Sequence, residues 1–134
     1  MIRTLRSQVS WEFLTLISVA LVIFVIFGGI IANYTVYYHT QKINDDANLV
    51  LAYVNKEIGT AFQVHDGFYS NLGLPILIDG NNYTIVHNSS SIVLLVEGKN
   101  IKIISKSLTF FGNFNNSNKS NNFIFKNNSE LYIN

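Results

Sequence analysis

Glu12 carries the most chemical leverage in this chain of 134 residues. It is the only Asp, Glu, Lys or Arg between Arg6 and Lys42, and it stands one residue before an uncharged run at 13–32, FLTLISVALVIFVIFGGIIA. A carboxylate carried to the centre of a bilayer costs about 2.5–3.5 kcal/mol on insertion scales, so an acid here either stays at the edge or is neutralised. On the residues alone, Glu12 stays at the interface, the helix starts after it, and Ser10 is an N-cap.

No other residues suggest bond-making chemistry. His39, His65 and His87 are isolated and share no metal-ligand spacing, so each reads as a surface or packing residue. Asp45 and Asp46 are adjacent, so on a helix they point to different sides and form no carboxylate dyad. There is no cysteine, which excludes disulfides, thiolate metal sites and cysteine nucleophiles. No P-loop, G-x-S-x-G, H-E-x-x-H or G-x-G-x-x-G occurs. The expectation is a protein that is not an enzyme, with no cofactor and no metal. A net charge of +1 provides no basic field, so nucleic acid is not an expected partner.

The elements that position Glu12 follow from hydropathy. Hydrophobic residues are 49% of the chain and charged residues only 13%, against about 25% charged in ordinary soluble domains. A helix over 13–32 would span roughly 30 Å, the thickness of the hydrocarbon core. The competing reading is a cleaved secretory signal, but such apolar cores run to about 7–15 residues and end at an A-x-A-like site. Gly28-Gly29-Ile30-Ile31-Ala32 makes a poor one. Arg3 and Arg6 precede the run and no basic residue follows until Lys42. The positive-inside rule then keeps the N-terminus cytoplasmic and sends the rest outside, as a single-pass membrane protein.

Gln8, Ser10, Glu12 and Leu16 fit Q-x-S-x-E-x-x-x-L at every fixed position, after a short basic leader and before the long apolar run. This pattern resembles archaeal type IV pilin-like proteins with class III signal peptides. The resemblance implies a prepilin peptidase as partner, cutting between Ser7 and Gln8 on the cytoplasmic side. The family usually has Gly before the cut, where this chain has Ser7. Glu12 becomes the fifth residue of the mature chain, the acidic position of type IV pilins, close to the new α-amine in register terms. The implied product is a subunit, major or minor, of a homo- or heteromeric cell-surface filament serving adhesion or attachment, its other partners being pilin subunits and, before assembly, the membrane. The alternative is an uncleaved single-pass protein that presents its outer domain as a binding module.

The expected fold class is α+β: a long N-terminal α-helix, acting as transmembrane and assembly stem, with a small antiparallel β-sheet head. The expected division is a cleaved leader at 1–7, a helix at 8–64 and a β-rich extracellular head at 65–134. Ile43, Ala47, Val50, Val54, Ile58 and Ala61 recur at spacings of three and four, one face of a helix. With no proline before Pro75, a nearly continuous helix to about Phe62 would be roughly 80 Å long. Gly28-Gly29 is the expected place for a kink. Tyr34, Tyr37 and Tyr38 suit an aromatic belt at the outer headgroups, or burial between subunits of a filament. Beyond Gly67 the period becomes two, with strands expected at 74–78, 83–87, 92–96, 101–104 and 107–111 in a meander separated by Asp79-Gly80-Asn81, Asn88-Ser89-Ser90 and Glu97-Gly98-Lys99-Asn100. Pro75 suits a strand start or edge. The passage from Gly67 to Pro75 also resembles the helix-to-sheet passage of the same family.

From Gly112 the chain is rich in Asn and reads as a flexible surface loop leading to a last strand at 123–125 or 131–133. N-x-S/T sequons make Asn82, Asn88, Asn115, Asn118 and Asn127 candidate N-glycosylation acceptors, all on the expected outer side. A sixth, Asn33, lies too close to the membrane. Each reads equally well as an unmodified polar turn.

Overall fold

The computed structural model describes residues 2–88 and 90–134, with side chains from Ser10 onward. One α-helix, α1, runs Ile2–Gln63. Seven strands follow: β1 Tyr69–Leu72, β2 Tyr83–Asn88, β3 Ser91–Val96, β4 Ile101–Lys106, β5 Phe111–Gly112, β6 Asn122–Asn127 and β7 Glu130–Ile133. A short 3-10 turn, Lys119–Asn121, precedes β6. The layout is α+β. Two compact units divide at Thr40 and Gln41, so the amphipathic half of the helix belongs with the strands.

The first unit, Met1–Thr40, is helix in all its described residues. The helix begins upstream of residue 8, and Ser10 lies inside it rather than at an N-cap. Gly28 and Gly29 do not interrupt it. Every residue from 10 to 40 is exposed, including Phe24 at 78% and Tyr34 at 72%.

The second unit, Gln41–Asn134, contains every buried apolar residue among those described. Ile43, Ala47, Val50, Val54, Ile58 and Ala61 all face the core, and Leu51 joins them. The stripe is wider than strict three-four spacing suggests, because a core-facing helix uses flanking positions as well. Two sheets supply the remainder. One has the order β2-β3-β4 and is an antiparallel meander. It contributes Tyr83, Ile85, Ile92, Leu94, Val96 and Ile101 to the core. The other has the order β1-β6-β7-β5; its pairs are antiparallel except β5 with β7, which is parallel. It contributes Leu72, Ile124, Leu131 and Ile133. Each fully buried side chain of this size stabilises by roughly 1.5–3 kcal/mol.

The meander is where alternation places it, at 83–88, 91–96 and 101–106. The expected strand at 74–78 does not form. Only Ile78 bridges, to Asn81, across an Asp79-Gly80 turn in which both residues have positive φ, the conformation a tight hairpin turn requires. Pro75 cannot donate to a ladder, and among the described residues no strand pairs with the segment. Side chains take its carbonyls instead: the Tyr83 hydroxyl donates to Pro75 O, and Lys119 Nζ donates to Ile76 O at 3.2 Å. Leu74 and Ile78 are still buried, while Ile76 between them is exposed, so the segment presents no inward face of period two. The expected strand at 107–111 shrinks to Phe111–Gly112.

The Asn-rich stretch is an ordered connection, because asparagine carboxamides take the place of backbone partners. Asn116 Oδ1 accepts from Ile85 N at 2.7 Å while its Nδ2 donates to Ile85 O at 3.0 Å, so one side chain pairs with β2 as a strand would. Asn122 is fully buried. Its Oδ1 accepts from Asn115 N at 2.6 Å, and its Nδ2 donates to Lys119 O at 2.9 Å. Both terminal runs, 123–125 and 131–133, are strands, closed into a hairpin by Asn128 and Ser129 with φ of 50° and 66°.

Candidate functional site

The candidate site is the apolar helix of the first unit, with Glu12 near its start. The helix is long and apolar enough to cross a membrane by length and composition. Four of its hydroxyls are satisfied within the helix. Thr15 Oγ1 donates to Glu12 O at 2.8 Å, Ser18 Oγ to Leu14 O at 2.8 Å, Thr35 Oγ1 to Ile31 O at 2.9 Å and Thr40 Oγ1 to Val36 O at 3.1 Å. In hydrocarbon, or between apolar helices, an unsatisfied polar group costs several kcal/mol. Back-bonding to the preceding turn removes that penalty for these four. Glu12 remains as the one charged side chain from Ser10 to Gln41.

The helix places the motif residues by register. Glu12 and Leu16 are four apart and share a face, while Ser10 is two residues from Glu12 and lies on the opposite side. Gln8 occupies the backbone position one turn before Glu12, but the side chains of Ser7 and Gln8 lie outside the described residues. Leu16 is 69% exposed, and Glu12 and Ser10 are exposed. In water, large side chains left bare at this density would each forgo roughly 1.5–3 kcal/mol of burial, so the surface calls for a cover of lipid or of other helices.

The remaining candidates are dispersed. His87, on β2, stacks on Phe110 at 3.8 Å, and its Nε2 is buried without a hydrogen-bond partner among the described residues. Burial lowers its pKa from the ordinary histidine value. His65 lies in the passage after the helix and His39 in the first unit. Asp45 is exposed and Asp46 half-buried on adjacent positions of α1. Among the described residues, no three His, Asp or Glu side chains gather into a group that could hold a metal. Asn82, Asn88, Asn115, Asn118 and Asn127 are all exposed, spread over a loop before β2, the end of β2, the Asn-rich connection and the end of β6.

Two features of the second unit escape sequence reasoning. Lys126, on β6, donates to Phe62 O at 2.9 Å and Val64 O at 2.8 Å, capping the C-terminus of α1 with a cation. The opposite face of the same sheet is aromatic. Tyr69 stacks on Phe123 at 5.2 Å, Phe125 on Tyr132 at 5.2 Å, and Phe111 tilts on Tyr132 at 5.5 Å. The signal that could have revealed this face is the i, i+2 aromatic pair Phe123 and Phe125 in an alternating strand.

No protein-family model, curated protein or solved structure matches the chain.

Proposed function

We propose that this chain is a structural subunit, a pilin or minor pilin, of an archaeal type IV pilus-like surface filament. In this reading a prepilin peptidase cuts before Gln8, the apolar helix is held in the membrane until assembly, and the filament serves adhesion or attachment. The observation that carries the reading is the combination at the helix start: Glu12 is the sole charge from Ser10 to Gln41 of an exposed apolar helix in which four Ser and Thr hydroxyls are already satisfied. Such a helix needs apolar cover, and such a carboxylate needs one cationic partner. Side-by-side packing of copies cut before Gln8 supplies both, since the new α-amine of a neighbour can meet Glu12. Only one axial offset brings those charges together, so the pair sets subunit register.

Glu12→Gln tests this. The substitution keeps shape and removes the charge, so membrane insertion should be unchanged while filaments vanish or lose regular spacing in electron micrographs of sheared surface material. Normal filaments from that variant would contradict the proposed role of Glu12. If the wild-type chain stays in the membrane fraction with its N-terminus uncut, the single-pass binding-module reading replaces the filament.

A further inference from the structure

We infer that Asn127 is the N-glycan acceptor of this chain, and that the first sugar of the glycan packs on the aromatic face beside it. The inference rests on the proposed topology in one respect only: glycosyl transfer needs the second unit to lie outside the cytoplasm.

Strand geometry singles out Asn127 among the exposed sequons. Along β6 the buried positions are Asn122 and Ile124, and Lys126 is drawn to the helix carbonyls. Phe125 and Asn127 therefore stand together on the outer face, two residues apart. The two Lys126 hydrogen bonds lock that register, since a slip by one residue would tear the ammonium from the helix end. The residue two before each other acceptor offers no ring: Gly80 for Asn82, Val86 for Asn88, Asn113 for Asn115 and Asn116 for Asn118.

The surroundings of Asn127 are open and suit a sugar. Directly across the hairpin is Glu130, whose Oε2 accepts from the Tyr132 hydroxyl at 2.6 Å. On the other flank the backbone continues the ladder through Gly67, whose N donates to Lys126 O at 2.9 Å and which has no side chain to fill the space. Asn127 itself is exposed, with no side-chain hydrogen bond among the described residues. Asn115 and Asn118 differ. Asn115 Oδ1 accepts from Asn118 N at 2.9 Å, and Asn118 Oδ1 accepts from Ser120 Oγ at 2.9 Å, so both carboxamides are held in local turns. A pyranose has a face of polarised C–H bonds, and the π-face of an aromatic ring is its negative side. Phe125 and Tyr132, already stacked with 10° between their planes, offer such a surface without further ordering.

In the transfer step, Asn127 Nδ2 forms a bond to the anomeric carbon of the first sugar. The bond from that carbon to a phosphate oxygen of a polyprenyl-phosphate-linked oligosaccharide breaks, the lipid phosphate leaves with the electron pair, and the amide nitrogen gives one proton to a base of the transferring enzyme. Ser129 supplies the sequon hydroxyl.

The test is intact-glycopeptide mass spectrometry of the full chain purified in detergent from its native cells, combined with thermal unfolding. Sugar should be found on the peptide containing Asn127 and be lost there in Asn127→Gln and Ser129→Ala. The unfolding midpoint should fall in Asn127→Gln, and this fall should disappear when Phe125→Ala is already present. Phe125→Leu keeps apolar bulk without a ring and replaces Phe125→Ala if that variant does not fold. An unmodified Asn127, with sugar elsewhere or nowhere, overturns the inference. So does a sugar at Asn127 whose effect on the midpoint is the same with and without the Phe125 ring. The same digest reports the N-terminus: a start at Gln8 with Asn127 bare leaves the filament reading standing while this inference falls.

Discussion

Gly112 is the position where one added carbon should do the most damage to the second unit. Its φ is +99°, and a Cβ built there would lie 1.9 Å from Ile133 O. Gly98 is a matched control, with φ of +73° and open space around its Cβ position. Gly98→Ala therefore pays only backbone strain, about 1–2 kcal/mol. Gly112→Ala pays comparable strain and must also move β5 from β7. The parallel pair Phe111↔Tyr132 and Gly112↔Ile133 is then lost, at about 0.5–1.5 kcal/mol for each hydrogen bond broken. For two such bonds the expected total is about 2–5 kcal/mol. For a unit of this size each kcal/mol lowers the midpoint by about 4–8 °C. Thermal unfolding followed by circular dichroism, on the full chain in detergent, reads the difference directly. Equal midpoints for the two variants would refute the close approach of β5 to the β7 backbone.

Three further outcomes follow from the same geometry. Lys126→Met should destabilise the second unit by about 1–2 kcal/mol, because it strips a half-buried cation from two helix-terminal carbonyls; Lys126→Arg should recover part of the loss, and denaturant titration checks both. Burial pushes the Tyr83 hydroxyl up to about 12, above the ordinary 10.0. Because the folded value is the higher one, its contribution is complete below pH 10.0 and lost as pH rises toward about 12; Tyr83→Phe should remove that alkaline loss in unfolding midpoints measured across the range. A fragment from Gln41 to Asn134 carries every buried apolar residue among those described, so it should fold cooperatively without the apolar helix, as amide hydrogen exchange would report.

The core was legible where period and partner agree. Ile43 to Ala61 reads as a helix face because six apolar positions repeat at three and four, and the meander reads as strands because alternation is punctuated by turn residues. Residues 74–78 show where pattern alone misleads: Leu74 and Ile78 are buried but Ile76 between them is exposed, and apart from the Ile78–Asn81 bridge the segment pairs with no strand among the described residues. β1 was hidden because Ser70-Asn71 has weak strand propensity and its partner, β6, lies about fifty residues on. The Asn-rich connection reads as a flexible surface loop by composition, but Asn116 and Asn122 use their carboxamides as surrogate backbone, which composition cannot reveal. For the candidate site the balance is reversed. The motif at Gln8, Ser10, Glu12 and Leu16 was visible only as sequence, and the helix adds that Glu12 and Leu16 share a face. The charge partner proposed for Glu12 comes from another copy, so neither a single sequence nor a single chain contains it.

The most direct measurement is mass spectrometry of the N-terminal peptide from sheared cell-surface material, allowing for cyclisation of an N-terminal glutamine. The account predicts a chain that starts at Gln8, recovered from filaments. A chain that starts at Met1, or near Asn33, would contradict it: the first leaves an uncut membrane anchor, and the second removes Glu12 and the apolar helix from the mature protein altogether.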